Sequence, residues 1–249
     1  MDAKGTVLVL EVNAGLCNRI RALISGLCWA EKLNRRLVVC WPDEKPECAA
    51  TFSNLFQAVF PDWVEIRNEM LVRPKRCLSP TDATTIFSQA VDGEPIFIKS
   101  HGCFWSCEGA EKTRWLEFLR SLQPSVAVKN LLTEWQGSNN TWTAVHIRRT
   151  DNDKAILSSP LSAFQTRLEK EKEFFLFSDD FVAVESIKAV YPYARTVERI
   201  RRRNTLEGMI EGTAVFFMLS GADRIIGSAS SSFSEIAALH GNTTLELVV

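Results

Sequence analysis

Long apolar runs are missing from this chain. The longest outside the N-terminal region covers residues 214–219, far short of the roughly 18 to 20 residues that a membrane-spanning helix needs. No membrane span is therefore expected. Charge of one sign is missing as well: 29 Lys and Arg stand against 30 Asp and Glu, a formal net charge of −1. That balance excludes a protein that grips nucleic acid through a broad positive field, so any basic residue that acts must act locally. There is no internal repeat and no low-complexity tract, and the composition excludes a disordered, collagenous or coiled-coil chain.

A cysteine framework is also lacking, because the seven cysteines are odd in number and irregularly spaced. Residues 1–5 run straight into the apolar stretch 6–10, which is too short for a signal-peptide core and has no small-residue cleavage site behind it. The expectation is a cytoplasmic protein with reduced, mostly buried thiols. On that ground Asn139-Asn140-Thr141 and Asn242-Thr243-Thr244 carry no weight as glycosylation sites.

What the chain does have is apolar bulk. Its 249 residues are 46% apolar and 10% aromatic, enough for one large domain or two small lobes with cores of their own. Short β-branched runs alternate with segments of helical period. Residues 6–12 read as a strand buried on both faces, and in 19–33 Ile20, Leu23, Ile24, Leu27 and Ala30 share one helical face. Further strands are expected at 37–41 and 95–99, and a helix at 115–122. A helix over 124–135 then ends in Gly137-Ser138-Asn139-Asn140, and the alternation restarts. Strands follow at 143–148, 174–178, 224–227 and 244–249, with helices at 161–171, 182–190, 207–221 and 234–240. Such alternation predicts an α/β fold, two Rossmann-like lobes with parallel sheets, divided into residues 1–122 and 123–249. Ligands of such sheets bind beyond the carboxyl ends of the strands.

Three strand ends carry chemistry. After the first strand comes Asn13-Ala14-Gly15-Leu16-Cys17-Asn18-Arg19, a turn leading into a helix that is expected to begin near Asn18. A helix N-terminus with arginines on its first turn suits an anionic or polyhydroxyl ligand, and a plain turn with a capping Asn is the alternative. The second strand end is His146-Ile147-Arg148-Arg149-Thr150-Asp151. His146 and Arg148 share one face of the strand, and paired guanidinium groups suit a pyrophosphate. Asp151 is placed to orient Arg149 or to accept from a sugar hydroxyl, and a structural Arg–Asp pair with a core histidine is the alternative. The third is Gly227-Ser228-Ala229-Ser230-Ser231-Ser232-Phe233-Ser234, where small hydroxyl residues lead into a helix and offer donors to a phosphate. Between these, Ser178-Asp179-Asp180 follows another strand, to read nucleotide hydroxyls and base edges or to cap the next helix. Arg199-Ile200-Arg201-Arg202-Arg203 reads as a solvated basic face, with a donor-anion role left open.

Together these residues resemble the fucosyltransferase superfamily of GT-B glycosyltransferases, which includes α1,6-fucosyltransferases, bacterial nodulation fucosyltransferases and protein O-fucosyltransferases. His146 to Asp151 is similar to the family's His-x-Arg-Arg-x-Asp donor motif, and Leu176 to Asp180 with Tyr191-Pro192 to its next strand and helix. Leu219 to Asp223, Gly227 and Ser230 to Ser234 are similar to its last donor motif. Gly15-Leu16-Cys17-Asn18-Arg19 resembles its acceptor-side turn. The resemblance implies a GT-B fold with a minimal N-terminal lobe. It also implies metal-independent, inverting transfer of fucose from GDP-fucose to a glycan or other hydroxyl acceptor, with no cofactor. The donor would lie in the C-terminal lobe. There Arg148 would stabilise the leaving diphosphate, and Arg149 and Asp151 would fix the pyrophosphate and a hydroxyl. His146, Ser178, Asp179, Asp180, Ser230, Ser231, Ser232 and Phe233 would complete the donor site, with Asn13, Gly15, Asn18 and Arg19 on the acceptor side.

The chain also departs from the pattern. Cys17 stands where the turn usually has Gly, and Val215 where relatives carry an acid, with Glu211 one turn earlier. Ile156 replaces the Glu that α1,6 enzymes carry eight positions after the residue matching Arg148. Asp153, the nearest carboxylate, is accordingly the candidate base. The rival readings are a GT-B transferase for another nucleotide sugar and a non-catalytic module that binds nucleotide sugar or glycan. A metal site at His101-x-Cys103-x3-Cys107 lacks a fourth nearby ligand.

Overall fold

The computed structural model describes residues 6–69, 94–105, 108–137, 141–197 and 202–249. The chain divides into two compact units, residues 1–125 with 203–209 and residues 126–202 with 210–249.

The first unit begins with β1 (Val7–Val12), α1 (Leu16–Lys32) and β2 (Arg36–Cys40). It continues with α2 (Phe52–Leu55), β3 (Phe56–Gln57), β4 (Val64–Arg67), β5 (Ile96–Ser100), α3 (Gly109–Arg120) and β6 (Gln123–Pro124). Its main sheet has the order β4-β2-β1-β5 and every pair is parallel. Leu8, Leu10 and Val12 of β1 are fully buried, as are Ile20, Leu23, Ile24 and Leu27 of α1. The helical face expected from the sequence is therefore the one that packs. Gly26 is what lets α1 lie close on the sheet, since a Cβ there would sit 2.6 Å from Leu10 Cδ2. Phe56 and Gln57 of β3 pair antiparallel with Pro124 and Gln123 of β6.

The second unit holds α4 (Val126–Gln136), β7 (Thr143–Ile147), α5 (Asp153–Ser158), α6 (Leu161–Leu168), β8 (Phe175–Ser178), α7 (Phe181–Val190) and β9 (Arg195–Thr196). It also holds most of α8 (Leu206–Ser220), then β10 (Arg224–Ser228), α9 (Ser232–Gly241) and β11 (Thr244–Val248). The strand order is β11-β10-β7-β8-β9, again parallel throughout. Val145, Ile147, Leu176 and Ile226 from the three middle strands join Phe164, Leu168, Val184 and Ile187 from the helices in one core. Burial on both faces is why these strands read as continuous apolar runs. His146 pairs in register with Gly227, and Ile147 with Ser178, so β10, β7 and β8 end side by side.

The α/β architecture with parallel sheets is the one expected. Several elements were not anticipated, among them α5, β4 and β9. The helix α1 starts at Leu16 with Gly15 as its N-cap, rather than near Asn18. Cys17, Cys28, Cys40 and Cys48 are buried and Cys103 is half-buried. Among the described residues, no helix is long and apolar enough to cross a membrane.

Candidate functional site

The site is built on the carboxyl ends of β7, β8 and β10. His146, one residue before the end of β7, is buried and shares a 2.8 Å hydrogen bond between its Nδ1 and Ser234 Oγ. Its ring stacks on Phe233, centroid to centroid 5.0 Å. Burial lowers its pKa to about 4; Arg148 pushes the same way and Asp179 opposes. A neutral imidazole follows near neutral pH, and it ties β7 to the first turn of α9.

Past the strand, the backbone N–H of Arg148 donates to Ser228 Oγ at 3.0 Å, which stitches the ends of β7 and β10 together. The Arg148 guanidinium pairs with Asp151, and its Nη1 lies 2.5 Å from Asp179 Oδ2. Asp179 is engaged on every side. Its Oδ1 accepts from Arg149 N–H at 2.7 Å, and its Oδ2 accepts from the N–H and hydroxyl of Thr150 at 3.3 and 2.6 Å. Arg149 donates from Nη1 to the carbonyl of Ile156 at 3.3 Å, while its buried Nη2 has no partner among the described residues. A guanidinium carries five N–H donors, so both arginines keep donors in hand.

The third strand end is a short, tight turn. Ser230 adopts φ +58°, the left-handed region, between Ser228 at the end of β10 and the N-cap Ser231. Ser231 makes no side-chain cap, and Glu235 N–H is the first to bond back, to Ser231 O at 3.3 Å. The N–H groups of Ser232, Phe233 and Ser234 thus lack an intrahelical acceptor. The hydroxyls of Ser230, Ser231 and Ser232 have no hydrogen-bond partner among the described residues. Unpaired N–H groups, free hydroxyls and an arginine with an orphaned nitrogen form a donor set that fits an anion.

Other expected residues have local tasks. Ser178 donates its hydroxyl to Ile147 O at 2.8 Å and accepts from Asp180 N–H at 3.1 Å. Asp180 caps α7 through Val182 N–H at 2.9 Å, the alternative already open in the sequence. Asp153 is exposed in the first turn of α5.

Asn13, Gly15, Asn18 and Arg19 lie in the first unit. The left-handed residue of that turn is Ala14, at φ +63°, and Gly15 is ordinary at φ −73°. Arg19 is fully buried, donating from Nε to Ala14 O at 2.8 Å and from Nη1 to Pro42 O at 2.5 Å, with its guanidinium 5.4 Å from the Trp41 ring. Its desolvation lowers its pKa. Asn18 accepts from Arg21 Nη2 at 2.5 Å. Arg202 and Arg203 are exposed, and Arg199, Ile200 and Arg201 lie outside the described residues. So does Cys107; no group of three or more His, Cys, Asp or Glu placed to hold a metal ion occurs among the described ones.

Residues that sequence reasoning gave no role include Asn152 and Ser159, which bond the loops to one another. Ser228, read from the sequence as one of the hydroxyls offered to a phosphate, accepts the backbone N–H of Arg148.

Two parallel α/β sheets with ligand-type strand ends define a Rossmann-like pair, and the chain has the GT-B fucosyltransferase fold of its structural neighbours. Neither a family model nor a curated protein matches the chain. Among solved structures, NodZ alpha-1,6-fucosyltransferase co-crystallised with GDP is similar, with a TM-score of 0.66 and 16% identity over 95% of this chain and 92% of that one. NodZ has also been solved from Bradyrhizobium. POFUT1 in complex with GDP matches with a TM-score of 0.62 and 14% identity, over 100% and 99% of the two chains. A mutant of Arabidopsis thaliana FUT1 in complex with GDP matches with a TM-score of 0.64 and 15% identity, over 99% of this chain and 70% of that one.

Proposed function

We propose that this protein is a member of the fucosyltransferase superfamily, a glycosyltransferase that moves fucose from GDP-fucose to a hydroxyl of a saccharide or glycoconjugate. The carrying observation is that Arg148 and the uncapped start of α9 hang from adjacent strands, joined by the bond from Arg148 N–H to Ser228 Oγ. The likeness in fold to structures that bind GDP supports the same reading.

The step is an inverting displacement. The acceptor oxygen attacks the anomeric carbon, the bond from that carbon to the β-phosphate oxygen breaks, and the electron pair leaves with the diphosphate. Arg148 meets the developing charge, a type of stabilisation worth about 3 kcal/mol per group. Arg149 Nη2, the hydroxyls of Ser230, Ser231 and Ser232 and the free N–H groups of α9 hold the pyrophosphate, which therefore requires no metal. Asp153 takes the acceptor proton. His146 and Asp179 act through the loops they hold, and Phe233 stacks on His146. The second unit, residues 126–202 with 210–249, is the donor lobe in this reading. The turn of Asn13, Gly15 and Asn18 belongs to the acceptor side, where buried Arg19 supports the turn.

One observation favours a second reading, a module that binds nucleotide sugar without transfer. Ile156 stands where α1,6 enzymes carry a Glu, and it offers its carbonyl to Arg149. Calorimetric titration with GDP, UDP and ADP in EDTA, for wild type and Arg148→Ala, tests the donor site. Selective GDP binding that is lost in the variant is expected; no nucleotide binding by folded protein overturns the reading. Release of GDP from GDP-fucose across an acceptor panel separates transferase from module.

A further inference from the structure

We propose that Asn152 is a positioning residue that aims the Ser-rich loop at the donor diphosphate, an inference that rests on the nucleotide-sugar reading above. Asn152 is the N-cap of α5, and its Oδ1 accepts from Ala155 N–H at 3.1 Å. The other arm of the same amide, Nδ2, donates to the carbonyl of Ser230 at 2.9 Å. One side chain therefore starts the helix after the arginine loop and grips the loop that follows β10.

The far end of α5 repeats the arrangement. Ser159, its C-cap, accepts the N–H of Ala229 on Oγ at 2.8 Å and donates that hydroxyl to Val248 O at 2.6 Å. Two successive residues of the Ser-rich loop are thus held by the two ends of one short helix. Arg149 adds a third tie through Ile156 O. The helix α5 acts as a brace between the two loops that carry the anion donors.

The grip has a directional consequence. In a trans peptide the C=O and the following N–H point in opposite directions. Holding Ser230 O toward Asn152 turns Ser231 N–H the other way, and that N–H has no partner among the described residues. Ser230 sits at φ +58°, which a residue with a Cβ resists, so the peptide needs an external hold to stay in this orientation. Capping alone does not require Asn, because Ser and Asp cap a helix equally well. An amide has both an acceptor and a donor arm.

That difference defines the test. Asn152→Ser keeps a capping oxygen and loses the reach to Ser230; Asn152→Asp keeps the cap and replaces the donor by an acceptor. Melting temperature and GDP affinity are measured for the full chain and both variants. The expected result is a melting temperature within about 2 °C of wild type, with GDP affinity about tenfold weaker in the Ser variant and weaker still in the Asp variant. GDP binding by Asn152→Ser within twofold of wild type overturns the proposal and leaves the donor site intact. A fall in affinity that merely tracks a large loss of melting temperature in both variants also overturns it, because the residue is then a cap only. If wild type itself binds no nucleotide, the nucleotide-sugar reading falls first and takes the proposal with it.

Discussion

Asp179 accepts the backbone N–H of Arg149 at 2.7 Å on one oxygen while its other oxygen meets the guanidinium of Arg148 at 2.5 Å. One carboxylate thus sets both the course of the chain and the charge balance of the two arginines. Both side chains of the ion pair are about one-fifth exposed, so solvent screens the attraction only in part.

Removing that carboxylate strips acceptors from two backbone N–H groups and leaves Arg148 with Asp151 alone. Asp179→Ala is expected to lose about 2–4 kcal/mol of stability. A lower urea midpoint at an unchanged slope is the measurement that shows it. A midpoint equal to wild type contradicts the clamp.

His146 makes stability depend on pH. Its folded pKa is lowered to about 4 by burial, against roughly 6.5 in an unfolded chain. The unfolded state therefore binds the proton first. Stability is whole above about pH 6.5 and falls as the pH drops toward 4, by ~3 kcal/mol if the shift is realised in full. Urea midpoints across that range for wild type and His146→Asn isolate the effect, because the variant is expected to lose this slope and keep the contribution of other groups.

Gly241 closes α9 against the end of α8. A Cβ on it would stand 1.7 Å from the carbonyl oxygen of Ser220, which already accepts from Thr243 Oγ1 at 2.9 Å. Gly241→Ala is expected to cost 3 kcal/mol or more, on the order of an overpacked core. Gly212, in the middle of α8 with nothing within 4 Å of a Cβ, is the matched control. Its Ala variant is expected to be neutral or to gain about 1 kcal/mol. Thermal unfolding of the pair decides.

As the proposed base, Asp153 is expected to matter to turnover and little else. It is exposed at the first position of α5, where a carboxylate contributes about 0.3–1 kcal/mol through the helix dipole. Asp153→Asn should keep GDP affinity and lose about 10²- to 10⁴-fold in turnover. Full turnover in the variant removes Asp153 from the mechanism.

Much of the fold was legible because its main elements are long and strongly patterned. Ile20, Leu23, Ile24 and Leu27 declare a helix, and the apolar runs around Val145 and Ile226 declare strands covered on both faces. The short pieces were not legible. Six residues of α5 are too few to show a period, and β4 reads as Val64-Glu65-Ile66-Arg67, half-exposed throughout. Arg19 illustrates a boundary effect: with α1 starting at Leu16, it falls one turn before Leu23 on the buried face. The cap by Asp180 was open to a reading of the sequence, but that the oxygens of Asp179 answer backbone N–H groups of a different loop depends on geometry that no spacing encodes. The left-handed turn at Ser230 is equally silent in a run of serines.

The middle strand of the second sheet also dictates when the protein becomes itself during synthesis. β7 finds β8 soon, with Ile147 and Ser178 only 31 positions apart, but its other edge waits for β10, since Arg148 and Ser228 are 80 positions apart. Until that late segment leaves the ribosome, an apolar strand edge stays open and prone to wrong pairing. The same late segment brings the Ser-rich loop. A nascent chain at that stage has Arg148 with its partners Asp151 and Asp179 but not the serines, and the proposed donor site closes in the same event that seals the sheet.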